Sequence, residues 1–127
     1  MKLRTRGDSL RFRLTRGEVS RLLAGDRVSE SVHFSPAAGS VLKYSLQSSQ
    51  DAAQMAASFG NGELHVDLPA ALVGSWANTD QVGMEYAQPA GEGRKLQVVV
   101  EKDFRCLQPR PEEDEHDNFP NPESTAG

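Results

Sequence analysis

The sequence contains a single cysteine, Cys106, and no long hydrophobic run. One thiol forms no internal disulfide and supplies no paired thiolates for a structural zinc site, so neither device holds the fold together. No stretch approaches the roughly 20 apolar residues of a membrane-spanning helix, and the charged opening MKLRTRGDSLRF lacks the apolar segment of a secretory signal. We therefore expect a cytoplasmic protein without a membrane segment, stabilised by its core.

The short motifs that identify many enzymes are also missing. The chain has no G-x-S-x-G, no P-loop, no dinucleotide fingerprint and no H-E-x-x-H. An enzyme would need a site of unrecognised pattern, and the sequence predicts no catalytic residue, no cofactor and no metal. With 127 residues and 37% hydrophobic content, the chain is long enough for one domain with a modest core.

Charge is distributed unevenly along the chain. Residues 1–27 hold eight of the 14 Lys and Arg residues and three acidic residues, a net charge of +5, whereas the remaining 100 residues carry −9. This division has two interpretations: the basic end binds an anionic partner, or the two ends of the chain bind each other. The second is favoured, because the sequence offers an acidic segment at residues 112–117.

One sequence pattern occurs twice, at an offset of 54 residues. Residues 10–28, LRFRLTRGEVSRLLAGDRV, and residues 64–82, LHVDLPAALVGSWANTDQV, each indicate a strand, a short helix and Asp-x-Val entering another strand. The match contains no gap and aligns these pairs: Leu10 with Leu64, Leu14 with Leu68, Val19 with Val73, Leu22 with Trp76, Asp26 with Asp80, and Val28 with Val82. The agreement predicts an internal repeat.

Local signals place the same elements in both halves. In the first half, Thr15 begins a helix as the first residue of a T-x-x-E capping box, and Gly25 ends it. In the second half, Pro69 occupies the position of Thr15, and Asn78 is the expected left-handed end of the helix. Alternation and helical spacing assign inward-facing positions that include Leu23, Val28, Val32, Phe34, Phe59, Leu72 and Val82.

The repeated order predicts a mainly β, α+β fold. Two β-β-α-β-β units related by a pseudo-twofold axis are expected to form a small eight-stranded barrel-like domain with two short helices, since closure removes exposed sheet edges. Residues 1–108 form this domain, with halves 1–54 and 55–108. Residues 109–127 are expected to form an acidic, proline-containing tail that is partly docked or disordered.

Arginines of the first hairpin form the main candidate binding surface. They alternate with apolar residues, so they share the outer faces of two strands, and they are Arg4, Arg6, Arg11 and Arg13. Such a face supplies phosphate contacts in nucleic-acid-binding proteins. The alternative is that these charges are solvated or paired within the protein.

A second candidate lies on one strand, where Glu63, His65 and Asp67 share a face by alternation. A histidine between two carboxylates is a candidate acid–base or metal-binding group. The offset positions in the first half include Arg11 and Arg13. The favoured interpretation is therefore charge pairing between the two halves.

A third candidate, for a divalent cation site, is the run EEDEHD at residues 112–117. Its possible oxygen and imidazole ligands include Glu112, Asp114, His116 and Asp117. Its spacing lacks the central glycine of an EF-hand, and consecutive acids more often form a solvated or partner-binding tail. We expect Phe119 and the neighbouring prolines to dock in an apolar groove while the acidic residues lie over the basic hairpin.

Two resemblances to known families follow from these segments. The opening MKLRTRGDSLRFRLTRGEV and the ending VVVEKDFRCL with PRPEEDEHDNFPNP are similar to a family of small bacterial proteins of unassigned function, which implies no activity. The segment VDLPAALVGSWANTDQVGMEY resembles the unit of the looped-hinge-helix, or swapped-hairpin, regulators, with Pro69, Val73, Asp80 and Val82 at matching positions. That resemblance implies a barrel of two units that binds DNA as a dimer, although here one chain carries both units.

These observations predict a non-enzymatic interaction module with a basic hairpin and an acidic tail. The alternative is a nucleic-acid-binding regulator, and an enzyme with an unrecognised site is third. The expected partner is a protein, or a nucleic acid bound weakly through the basic hairpin. The chain is expected to be a monomer or a homodimer.

Overall fold

A computed structural model of the protein describes residues 1–104. Its elements follow the order β-β-α-β-β twice. They are β1 (Lys2–Thr5), β2 (Ser9–Leu14), α1 (Arg16–Leu23), β3 (Val28–His33), β4 (Val41–Ser49), β5 (Ala56–Gly60), β6 (Glu63–Pro69), α2 (Ala70–Ala77), β7 (Gly83–Gly91) and β8 (Arg94–Lys102). The predicted mainly β, α+β class and the two short helices are confirmed.

The strands form two four-stranded sheets, with the order β1-β2-β8-β7 in sheet A and β3-β4-β6-β5 in sheet B. Strands that follow each other as hairpins pair antiparallel, whereas β2–β8 and β4–β6 pair in parallel at the centre of each sheet. Each sheet therefore contains one hairpin from each half of the chain. Neither half has a sheet of its own.

The central registers of the two sheets are the same at the 54-residue offset. Phe12 pairs with Val100 in sheet A, and Val66 pairs with Leu46 in sheet B. All four side chains are fully buried and belong to one hydrophobic core between the sheets. The repeated sequence pattern thus corresponds to a repeated inner frame.

The gapless match between the halves is wrong after the helices. Val28 pairs with Leu46, and at the equivalent position Val100 pairs with Met84 rather than with Val82. Met84 is buried, whereas Val82 is 54% exposed. Two additional residues therefore separate α2 from Met84, the position in β7 that is equivalent to Val28. The shared Asp-x-Val motif, with Asp80 matched to Asp26, does not mark equivalent positions.

The two sheets do not close into a barrel within residues 1–104. Where the edge strands β5 and β7 approach each other, the side chain of Gln88 replaces a backbone ladder. Its Oε1 accepts a hydrogen bond from the backbone N–H of Ala57 at 2.7 Å, and its Nε2 donates to the Ala57 carbonyl at 2.9 Å. The side-chain amide of Gln88 thus satisfies the backbone groups of Ala57, but no backbone ladder joins β5 to β7. The barrel-like arrangement is therefore open between these two strands.

The helices pack against each other and against the core. The capping box at Thr15 is formed as predicted, with reciprocal hydrogen bonds to Glu18. Gly25 has the expected positive φ of 94°, but Asn78 has φ of −97°, so the left-handed end predicted for α2 is wrong. Trp76 is fully buried, and its indole N–H donates to the Val82 carbonyl at 3.0 Å.

Several residues predicted to face inward are exposed. They are Leu23, Val32, Phe34, Phe59, Leu72 and Val82. Val32 lies on the same sheet face as the buried Val28, since both pair with even-numbered residues of β4. Its exposure therefore comes from its position along the strand, beyond the end of the core, and not from a wrong face.

Candidate functional site

Four cations of the first hairpin lie together on the outer face of sheet A. We call this set the cationic face, and it consists of Lys2, Arg4, Arg11 and Arg13. The sequence prediction included three of them. Arg6 lies in the turn between β1 and β2, outside the face, and Lys2 was missed because its importance depends on the register of β1.

The register places like charges directly opposite each other. Lys2 pairs with Arg13 and Arg4 pairs with Arg11, so two neighbouring cross-strand pairs on this face consist of two cations each. Such pairs are destabilising unless anions neutralise them. The four cations, together with Leu3, line a cavity of about 270 Å³, where their charges add.

Glu101 on β8 contacts two of these four cations. Its Oε1 accepts a hydrogen bond from Arg13 Nε at 2.7 Å, and its Oε2 accepts one from Arg11 Nη1 at 2.8 Å. Asp103 lies 3.3 Å from Lys2 Nζ. Among residues 1–104, Arg4 forms no salt bridge.

The protonation equilibrium of Glu101 reflects this contact. Partial burial raises the pKa of a carboxyl group, but the hydrogen bonds from Arg13 and Arg11 outweigh that effect, and the pKa of Glu101 lies below its ordinary value of 4.5. The carboxylate is only 13% exposed. The cationic face therefore already holds one carboxylate between two guanidinium groups.

The outer face of sheet B carries a chain of hydrogen-bonded polar groups at the corresponding positions. Ser45 Oγ lies 2.6 Å from Glu63 Oε2 and 2.7 Å from His65 Nδ1. His65 Nε2 lies 2.9 Å from Asp67 Oδ1. The predicted trio on β6 does share one face, and β4 adds Ser45, which sequence reasoning missed.

The trio and Ser45 have the connectivity of a Ser-His-Asp relay but lack other requirements of a nucleophilic site. Ser45 is fully buried, and its hydroxyl also contacts Glu63. The strands β4 and β6 are central in sheet B, so their backbone N–H groups are engaged in ladders and do not form an oxyanion hole. We assign this chain of groups a structural role.

The number of available protons determines whether all the hydrogen bonds among these side chains can form together. Three hydrogen bonds join Glu63, Ser45, His65 and Asp67, whereas the Ser45 hydroxyl and a neutral imidazole supply two protons. All three bonds form when His65 carries a proton on both ring nitrogens. The hydrogen bond from Ser45 is also the main cause that lowers the pKa of Glu63.

Charge pairing between the two halves occurs, but with other partners than the sequence predicted. Glu63 Oε2 lies 3.2 Å from Arg27 Nη1, while Arg11 and Arg13 bind Glu101. The trio on β6 and the two arginines lie in different sheets. They therefore do not pair with each other.

No group of three or more His, Cys, Asp or Glu side chains within residues 1–104 is placed to hold a metal ion. The third candidate, with Glu112, Asp114, His116 and Asp117, lies outside the described residues, as do Cys106 and the proposed docking of Phe119. No helix in the described part of the chain is long and apolar enough to cross a membrane.

Comparison with known proteins identifies a family. The profile of a family of unknown function, DUF7009, matches residues 1–123, nearly the whole chain. The searches of curated proteins and of solved structures each returned no match. The suspected relationship to an uncharacterised family is thereby confirmed. The chain belongs to this family of unknown function, DUF7009.

Proposed function

We propose that this protein is a non-enzymatic interaction module that binds a carboxylate-rich protein segment at the cationic face. The observation that carries the proposal is the pair of like-charge cross-strand contacts, Lys2 with Arg13 and Arg4 with Arg11. A fold that accepts this repulsion on one exposed face has a surface that an anion stabilises.

The ligand chemistry is suggested by Glu101. Arg11 and Arg13 each donate one hydrogen bond to a different oxygen of its carboxylate. Planar guanidinium groups suit carboxylates in this way. Arg4 and the exposed Lys2 lie beside this pair and supply further donors.

A protein segment fits the face better than a nucleic acid. The cationic face extends over two neighbouring strands, about 5 Å apart, whereas a duplex needs phosphate contacts along a longer path. The other strands of sheet A add the acidic residues Glu85 and Glu101 to the same outer face. Nucleic-acid binding, the alternative implied by the regulator resemblance, has no comparable support.

The test measures binding of a fluorescein-labelled decaglutamate peptide to the full chain by anisotropy, at low salt and at 0.5 M salt. Arg4→Gln removes a cation from the face, and Lys95→Gln, an exposed cation of β8 that pairs with Pro89, is the matched control. We expect Arg4→Gln to weaken binding about three- to tenfold at low salt, and the control to stay within about twofold.

Two results would contradict the proposal. One is an equal effect of Arg4→Gln and Lys95→Gln, since binding would then follow total charge. The other is tighter binding of labelled oligothymidylate than of the peptide with the same dependence on Arg4, which would favour the nucleic-acid alternative.

A further inference from the structure

We infer that the cationic face is occupied, in the free protein, by the acidic run at residues 112–117 of the same chain. The inference rests on the proposed function, because it names the occupant of the same face. The run lies outside the described residues, so its placement is argued from the described part of the molecule and from its sequence.

The path of the chain supports this occupant. Asp103 is held at the end of sheet A by a backbone hydrogen bond from its N–H to the Leu14 carbonyl at 2.8 Å, and by its carboxylate near Lys2. The chain therefore leaves the described part at the edge of the cationic face. Two acidic residues of this end, Glu101 and Asp103, already bind cations of the face.

The connecting length is sufficient. Glu112 follows Asp103 by nine residues, which span up to about 30 Å when extended at roughly 3.3 Å per residue. A sheet of four strands is about 15 Å wide at a spacing of roughly 4.8 Å. The acidic run thus reaches every part of the cationic face without displacing any described element.

The charges are complementary. The face has four cations, and Glu101 and Asp103 neutralise two of them, which leaves a net charge of +2. The run supplies five carboxylates, those of Glu112, Glu113, Asp114, Glu115 and Asp117. Arg4, without a salt bridge in the described part, is the expected centre of the contact.

Because the acidic run belongs to the same chain as the cationic face, weak exposed salt bridges are sufficient to keep it bound. If the short connection gives an effective concentration of about 1 mM, a face that binds a free acidic peptide with a Kd near 0.1 mM is occupied by the run roughly nine-tenths of the time. An external acidic partner then competes with the run. Its apparent affinity is about tenfold lower than the affinity of the open face.

The experiment uses the full chain and the same labelled decaglutamate. One variant replaces four acids of the run by amides: Glu112→Gln, Glu113→Gln, Asp114→Asn and Glu115→Gln. A control variant makes the same change in net charge at exposed acids elsewhere, namely Asp26→Asn, Asp51→Asn, Asp80→Asn and Glu92→Gln. We expect the first variant to bind roughly tenfold more tightly than the wild type at low salt, and the control to stay within about threefold.

Three outcomes separate the two ideas. Equal affinity of wild type and first variant, with both weakened by Arg4→Gln, overturns the inference and leaves the proposed function standing. Equal gains in the two amide variants also overturn it, because net charge alone would explain them. Absence of binding even by the first variant overturns the proposed function itself.

A contact measurement complements the affinities. Carbodiimide cross-linking joins neighbouring carboxylates and amines, and the pair of Lys2 with Asp103 serves as an internal reference. We expect a second product that joins Lys2 to residues 112–117 within one chain. Products found only between two chains would assign the run to a second copy and overturn the inference.

Discussion

The two sheets share an inner frame and differ on their outer faces. The same four register positions hold Arg11, Arg13, Val99 and Glu101 in sheet A, and His65, Asp67, Ser45 and Gln47 in sheet B. In sheet A these residues form a cluster of cations around one carboxylate. In sheet B, Ser45, His65 and Asp67 form a hydrogen-bonded chain.

The difference distinguishes the inner residues, which repeat in both halves and form the core, from the outer residues, which are available for binding. The inner residues Phe12 and Val100, like Val66 and Leu46, are buried in one core and constrain each other. The outer residues do not belong to that core, so their polar side chains can differ between the two sheets. Sheet B satisfies its polar groups among themselves, whereas sheet A keeps unneutralised cations. This contrast is why we assign binding to sheet A.

The largest expected effect comes from breaking the shared frame. Trp76→Ala should lower the free energy of unfolding by about 3–5 kcal/mol, because it leaves a cavity in the core. It also removes the hydrogen bond to the Val82 carbonyl. Leu72→Ala on the exposed side of α2 is the control, with a loss below about 1 kcal/mol. Both are measured by denaturant unfolding.

The same experiment tests whether the halves are interlocked. Since each sheet contains a hairpin from each half, wild type and both variants should unfold in a single transition. Two separate transitions would show that one half retains structure alone, and would contradict the shared frame.

A smaller effect is expected from giving sheet A the residue of sheet B. Gln47 of sheet B is equivalent to Glu101, so Glu101→Gln places a glutamine amide between Arg11 and Arg13. The variant should lower the free energy of unfolding by about 1–3 kcal/mol, since two partly buried cations lose their carboxylate. The reverse exchange, Gln47→Glu, should stay within about 0.5 kcal/mol, because its hydrogen-bond partner Arg27 is 44% exposed and its cross-strand neighbour Asp67 is 48% exposed. Comparable losses in the two exchanges would remove the asymmetry.

The pH dependence of the Glu101→Gln effect has a defined sign. The pKa of Glu101 is lowered in the folded protein relative to its ordinary value of 4.5. Its carboxylate therefore contributes its full stabilisation above that value and loses it as the pH falls through the lowered pKa. The difference between wild type and variant should be constant from about pH 6 upward and shrink toward pH 3. A difference that grows on acidification would contradict this account.

A smaller effect than that of Glu101→Gln is expected from giving sheet B the apolar residue of sheet A. Val99 of sheet A is equivalent to Ser45, so Ser45→Val places a valine side chain beside His65. The variant loses the hydrogen bonds to Glu63 and His65, which should lower the free energy of unfolding by about 0.5–1.5 kcal/mol. Since the Ser45 hydroxyl is the main cause of the lowered pKa of Glu63, that pKa should rise toward its ordinary value. Carboxyl carbon NMR titration measures the rise, and an unchanged titration of Glu63 would contradict the assigned hydrogen bond.

Local features were predictable from the sequence, because the residues that determine them are neighbours. The capping box of Thr15 with Glu18, the end of α1 at Gly25 and the Asn61-Gly62 turn all appear where expected. The alternation also placed His65 and Asp67 on one face, as observed.

Features that depend on strand neighbours were not predictable. Ser45 joins His65 only because β4 and β6 pair in parallel, and Glu101 lies between two arginines only because β8 lies beside β2. The sequence also placed Val82 where Met84 is buried, because a repeated motif does not reveal a two-residue shift in the connection. The candidate site therefore depends on the pairing of one hairpin from each half in each sheet, which determines which strands are adjacent.

The most direct test of the central claim is an NMR titration of the full chain with decaglutamate at low salt, following the Nε–Hε signals of Arg4, Arg11 and Arg13 and the imidazole signals of His65. We predict saturable shifts of the arginine signals and no change at His65, since the two faces belong to different sheets. Shifts that appear at His65 first, or that are spread evenly over both sheets, would contradict the assignment of binding to the cationic face.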